Sequence, residues 1–198
     1  MSSNTTLICI PDISGFTKFM SDTNIELSSK VIPALLNKII YANEIGLKVS
    51  EIEGDAVLFY RKGELPSFKD LINQSRLFFI DFYKHLNELT VKYRKDDDVN
   101  NLPQLGLKII LHCGEEVESV QIGNRIKLMG EDVIVAHRLL KNDIKEDEYL
   151  LISQSVLDHY KDEVIDRHFG WGELQDDEER YKHLGEINYS YVKLNKII

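Results

Sequence analysis

"ICIPDISGFTKFM", residues Ile8 to Met20, carries the reading of this chain. A short apolar run of strand type, Leu7–Ile10, ends in Pro11-Asp12. Ser14, Gly15 and Thr17 follow as a tight turn that opens into a helix, with a Phe on either side of Thr17. A strand that belongs in a core but delivers a carboxylate needs a reason. The reason comes from the next segments. Asn24–Glu44 places Ile25, Val31, Leu35, Ile39 and Ile40 near helical spacing, with Gly46 where a C-terminal cap belongs. Lys48–Glu53 and Ala56–Arg61 read as two strands joined at Glu53-Gly54-Asp55, a turn-type sequence. In a β-α-β-β core the first and third strands can lie side by side, which would bring Asp12 and Asp55 close together. Two carboxylates held close repel unless a positive charge lies between them. Hard divalent cations such as Mg²⁺ answer that need, through carboxylates, water and substrate phosphates. The plainer alternative makes Asp12 a helix cap and Asp55 a turn residue.

Further along, Pro66 opens a helix with Leu71, Leu77, Phe78, Phe82 and Leu86 facing inward. "RKDDDVNN", from Arg94 to Asn101, reads as a solvated loop. Leu105–Cys113 is a strong strand, and Glu116–Val120 with Arg125–Met129 forms a hairpin across Gly123-Asn124. A helix over Glu131–Asn142, a strand over Tyr149–Ile152 and a short helix over Ser153–Asp162 follow. "QDDEER", from Gln175 to Arg180, reads as a second solvated acidic run, and Gly185–Leu194 closes as a strand. With no repeat and no linker-like stretch, residues 1–198 form one α/β domain with a largely antiparallel or mixed sheet.

Bulk properties fit that reading. Of 198 residues, 43% are hydrophobic and 29% charged, ordinary for a soluble globular protein with a real core. A net charge of −9 argues against duplex nucleic acid and anionic membranes as partners, since both favour a basic face. Two cysteines, Cys9 and Cys113, are too few for a disulfide framework. The polar start and the brevity of the Leu7–Ile10 run give no secretion signal or membrane span, so a cytoplasmic protein is expected.

Four blocks in order resemble the catalytic domains of class III nucleotidyl cyclases. "DISGFT" (Asp12–Thr17) is similar to their first metal-binding motif, and "EIEGDAVLF" (Glu51–Phe59) to their second. "LKIILHCGEEV" (Leu107–Val117) resembles their G-I-H-x-G strand, and "MGEDVIVAHRLL" (Met129–Leu140) their G-D-x-V-N-x-A-x-R helix start. "HLGEINYSYVKL" (His183–Leu194) looks like their last strand. The sequence is most similar to a bacterial cyclase-like family of unknown function. The resemblance implies a ferredoxin-like βαββαβ core with flanking helices. It implies two Mg²⁺ or Mn²⁺ ions held by Asp12, Asp55 and the Ile13 carbonyl, and phosphates cradled by the amides of Ser14, Gly15, Phe16 and Thr17. It further implies attack of a ribose 3′-hydroxyl on the α-phosphate of a nucleoside triphosphate, giving a 3′,5′-cyclic nucleotide and pyrophosphate. It implies the transition-state role for Arg138 and that of a second cation for Lys182. It implies, too, a site between two protomers of a homodimer, with part of it supplied by the second chain.

Two departures bear on function. Ile134 stands where the family has an Asn that orients the ribose. The base-specifying positions are Glu51 and Lys127, which either read a base or pair with each other. Glu51 accepts and Lys127 donates, so guanine ranks ahead of adenine if they read a base. Elsewhere, alternation puts His112 and Cys113 on opposite faces of a strand, which rules out joint chelation. His137 reads as a surface helix residue beside Arg138, Trp171 as a packing anchor, and Gly114, Gly123 and Gly130 as strand and turn glycines. Three functions of different kinds follow: a metal-dependent nucleotide cyclase, a cyclase-fold nucleotide- or metal-binding module without turnover, and an interaction domain with neither ligand.

Overall fold

A computed structural model describes residues 4–197. The chain runs β1 (Thr6–Ser14), α1 (Phe16–Asp22), α2 (Ile25–Tyr41), β2 (Lys48–Glu53), β3 (Ala56–Lys62), α3 (Phe68–Lys92) and β4 (Gly106–Gly114). Then come β5 (Glu118–Ile122), β6 (Arg125–Met129), α4 (Glu131–Leu139), β7 (Tyr149–Ser153), α5 (Gln154–His159), β8 (Gln175–Tyr181) and β9 (Gly185–Lys193). Seven strands form one sheet in the order β2-β3-β1-β4-β7-β9-β8, and β5-β6 is a separate hairpin. All pairings are antiparallel except β4 with β7. The β2-β3-β1-β4 order is the ferredoxin-like core expected from the resemblance, with β1 and β3 adjacent.

The two faces of the sheet are covered differently because strand side chains alternate. Odd-numbered residues of β1 and β4, such as Cys9, Ile13, Ile109 and Leu111, pack with α2, α3 and α5 in the larger core. Even-numbered residues, such as Ile8, Ile10 and Ile110, pack with Val133, Ala136 and Leu139 of α4 and with Leu128 of the hairpin. Asp12, Lys108 and His112 belong to that second, thinner face. Caps fix where the long helices begin. The Asn24 side chain accepts the Leu27 amide at 2.9 Å and the Ser67 hydroxyl accepts the Asp70 amide at 3.1 Å, each worth about 1 kcal/mol.

Several expectations change. The first strand does not stop at Asp12; it continues to Ser14, because β4 pairs with it through Ser14↔Gly106. The helix expected to reach Glu44 ends at Tyr41. Gly46, at φ 71, serves a loop that Asn43 closes by donating from Nδ2 to the Leu47 carbonyl at 2.6 Å. The acidic run after Arg94 is docked rather than simply solvated: the Asp98 carboxylate accepts from the Asn24 amide and side chain, both at 2.7 Å, at the start of α2. "QDDEER" is strand β8, not a loop, paired along its length with β9. Asp and Glu disfavour strands, but exposed charges suit a sheet edge that must not recruit another chain.

Candidate functional site

The Gly54-Asp55 turn is the element that assembles the site. Gly54 takes φ 61 at the first central position, which suits a two-residue hairpin between β2 and β3. The Asp55 carbonyl then accepts the Ile13 amide at 3.1 Å, extending the β1–β3 ladder into the turn. This places Asp55 beside Asp12, which pairs with Ala56 across the same ladder. Asp55 is half-buried, and burial together with the charge of Asp12 pushes its carboxyl up to about 6; Lys108 opposes the shift.

Lys108 is the positive group beside Asp12, and in the sequence it is marked only as one lysine in an apolar strand. It sits directly opposite Asp12 in the β1–β4 register. Its ammonium lies 3.0 Å from Asp12 Oδ2 and donates to the Leu140 carbonyl, the C-cap of α4, at 3.3 Å. Burial works against the ammonium, yet Asp12 and the other negative charges outweigh it and hold its pKa above the ordinary lysine value. A paired-carboxylate end with a cation already drawn to it is a donor set that fits a hard divalent ion.

Around this centre the expected residues divide. Ser14 is buried and its hydroxyl donates to the Asp147 carbonyl at 2.5 Å, so it ties β1 to the loop before β7. Gly15 is left-handed at φ 78, and a Cβ there would collide with the Gln104 carbonyl. Phe16 starts α1, a helix of seven residues, and Thr17 is exposed on it. A cleft of about 650 Å³ opens between Gly15, Lys18 and Glu146 and is lined by neither aspartate. Lys182 is exposed in the β8–β9 turn. Arg138 is exposed on α4, where its charge acts on the Tyr181 hydroxyl; neither aspartate pairs with it in this chain. Ile134 is 52% exposed on α4.

Glu51 and Lys127 are an ion pair, 2.6 Å from Oε2 to Nζ, at a cleft of about 630 Å³ between β2 and β6. Alternation on β2 puts Glu53 on the same side as Glu51. With His137 of α4 their ligand atoms all lie within 4.8 Å of one another, an acid-imidazole cluster that the sequence reading did not assemble. Glu53 Oε2 is 3.8 Å from His137 Nδ1. The sequence signal was the E-x-E spacing, but the third member comes from a distant helix.

The helix carrying Arg138 is anchored by a buried network. His112 Nε2 donates to Asp132 Oδ1 at 3.0 Å, Nδ1 lies 3.0 Å from Ser153 Oγ, and Asp132 Oδ2 accepts the Glu116 amide at 2.8 Å. The His112 bond holds the Asp132 carboxyl below the usual range. Gly114 is required beside it, because a Cβ would overlap the Asp132 carboxylate. His112 is thus a buried structural residue. Trp171 is an anchor as expected, with the Arg76 guanidinium 4.8 Å from its ring centroid and Phe169 against it.

Comparison with known proteins places this geometry. The guanylate cyclase domain of RhGC from Catenaria anguillulae, in complex with GTP, superposes with TM-score 0.61 at 17% identity, covering 96% of each chain. The adenylyl cyclase CyaB from P. aeruginosa gives TM-score 0.60 at 17% identity, over 95% of this chain and 93% of that one. The non-canonical dimeric guanylyl cyclase domain of the RhoGC fusion protein from Blastocladiella emersonii gives 0.63 at 17%, over 97% of each. At such identity the likeness shows the fold, that of the class III cyclase catalytic domain. The uncharacterized protein Rv2561/Rv2562 of Mycobacterium tuberculosis is 32% identical over 127 residues, 62% of this chain; the match spans 57% of that relative's length. Among the described residues no helix is long and apolar enough to cross a membrane. The family model described as a protein of unknown function, DUF2652, matches residues 32–149, more than half of the sequence, and the chain belongs to that family, built on the cyclase fold.

Proposed function

We propose that this chain is a metal-dependent nucleotidyl cyclase, converting a nucleoside triphosphate to a 3′,5′-cyclic nucleotide and pyrophosphate. The observation that carries the reading is the juxtaposition of Asp12 and Asp55, neighbours across the β1–β3 ladder through the Ile13–Asp55 bond, with the Lys108 ammonium against Asp12. Asp12, Asp55 and the Ile13 carbonyl hold two Mg²⁺ or Mn²⁺ ions. Ions bound there would supply Lewis-acid activation of the 3′-hydroxyl and neutralise charge on the phosphates. The amides of Ser14–Thr17 at the Gly15 turn receive the phosphates; the Ser14 hydroxyl is already committed to Asp147. Arg138, unpaired with either aspartate of its own chain, serves the site of a second copy, so the active form is a homodimer. Exposed Ile52, Ile126, Met129 and Ile134 on β2, β6 and α4 support an interface on that side. Strands from both ends of the chain share one sheet, which supports a single domain throughout. The net charge of −9 supports a protein without duplex nucleic acid among its partners.

The second reading is a nucleotide- or metal-binding module without turnover. The closed Glu51–Lys127 pair and the apolar Ile134 at the ribose position favour it. Purified protein incubated with each of the four nucleoside triphosphates and Mn²⁺, with mass detection of cyclic product, decides between them. Product from one nucleotide, lost in Asp55→Ala, is the expected result. Binding without product from any of the four refutes the enzyme reading in favour of the module. Sedimentation showing a strict monomer with nucleotide present would remove the role given to Arg138.

A further inference from the structure

Asp12 and Lys108 are interior residues of neighbouring central strands, set directly opposite each other by register. Their side chains are 13% and 21% exposed, and the ion pair is 3.0 Å. Directly opposed residues of an antiparallel pair lie within reach on one face whatever loops do, so the contact is built into the sheet rather than into a mobile segment. The ammonium therefore takes up the carboxylate oxygen that a divalent ion at Asp12 and Asp55 would need. It also has a second partner, the Leu140 carbonyl at 3.3 Å, at the negative end of α4.

We infer that Lys108 is the resident counter-cation of the Asp12–Asp55 pair, and that a divalent ion binds there only as Lys108 releases Asp12. The inference rests on the reading of the two aspartates as an ion-binding pair and deepens it. Apo protein keeps its carboxylates compensated without metal. The ion must displace a bound ammonium, so metal affinity in the free protein is held down. Leu140 gives the displaced ammonium a place to remain. Lys108 acts on the site through Asp12 and is a positioning residue.

The test is calorimetric titration of the metal-stripped full chain with Mn²⁺, without nucleotide, in wild type, Lys108→Met and Lys108→Arg. Lys108→Met should bind about tenfold more tightly, the factor that one ion pair of ordinary strength is worth. Lys108→Arg, which keeps the charge and the pair, should bind no better than wild type. Since Lys108→Met is a folding risk, wild type is also tested directly. Its lysines are ¹³C-methylated, and the Lys108 signal is identified by its absence in Lys108→Arg. That signal should shift on adding Mg²⁺ with the same midpoint as binding. Affinity unchanged or weakened in Lys108→Met, or a Lys108 signal that stays still while the ion binds, overturns the inference and leaves the metal pair standing. No binding of Mn²⁺ or Mg²⁺ by any of the three chains overturns both.

Discussion

Replacing Lys108 with Met removes the cation that makes a buried carboxylate tolerable, and its cost follows from the geometry. Asp12 is 13% exposed and its partner lies at 3.0 Å. Removing one member of a well-buried pair costs roughly 3–5 kcal/mol, because the other charge is left uncompensated. The residual exposure of both groups puts this pair at the low end, about 3 kcal/mol. For a chain near 200 residues, each kcal/mol moves the midpoint by roughly 2–4 °C, so Tm should fall by about 6–12 °C. The assay is urea and thermal unfolding in chelator, with a double-mutant cycle. Asp12→Asn removes the charge that Lys108 compensates, so the double variant Lys108→Met/Asp12→Asn should recover most of the loss. If the pair matters as described, the two single losses should exceed the double loss by about 1–3 kcal/mol. A double variant that simply adds the two singles would refute the reasoning, since it would mean that the two side chains do not depend on each other.

Asp55 gives a pH prediction whose sign is fixed by its raised carboxyl, about 6 against the ordinary 3.8. A raised carboxyl contributes stability below the unfolded value that is lost as pH rises through the folded value. Asp55→Asn should therefore gain Tm over wild type progressively between pH 4 and pH 6, as thermal melts at constant ionic strength would record, and a pH-independent difference would count against it. Gly114→Ala should cost about 2–4 kcal/mol in denaturant unfolding by driving Asp132 off His112 and the Glu116 amide. The same change in an Asp132→Ala background should cost much less. Glu51→Ala and Lys127→Ala should each weaken binding of the preferred nucleotide more than the double variant does, because a lone charge in the cleft is dearer than none. Fluorescence titration with all four nucleoside triphosphates checks this, and guanine preference surviving Glu51→Ala would show that the pair does not read the base.

Much of the frame was legible because its signals are local. The Leu7–Ile10 run, the Gly15 turn, the Gly54-Asp55 hairpin and the helical spacing of α2 and α3 each depend on residues a few positions apart, and the structure places strands and helices there. The nearness of Asp12 and Asp55 was also legible. A β-α-β-β core can seat the third strand beside the first; the structure does so, and the ladder bond from Ile13 to Asp55 joins them. Glu51 and Lys127 could on local grounds pair or read a base, and in the structure their side chains pair.

What the sequence could not decide rests on register and on long-range packing. Lys108 looked like one charge in an apolar strand; only the alignment of β4 on β1 makes it the partner of Asp12 rather than of a residue one step away on the opposite face. The acidic run from Gln175 has no intrinsic preference for a strand, and it becomes β8 because β9 supplies a ladder and the sheet needs a charged edge. His112, Asp132 and Gly114 form one network only after α4 packs across the sheet, just as Ser14, at the end of β1, finds Asp147 only when the loop before β7 reaches it. Local pattern thus determined the elements and the two carboxylates. Tertiary structure decided which charge compensates them, because a one-residue shift in strand pairing moves every side chain to the other face and no local signal encodes that choice.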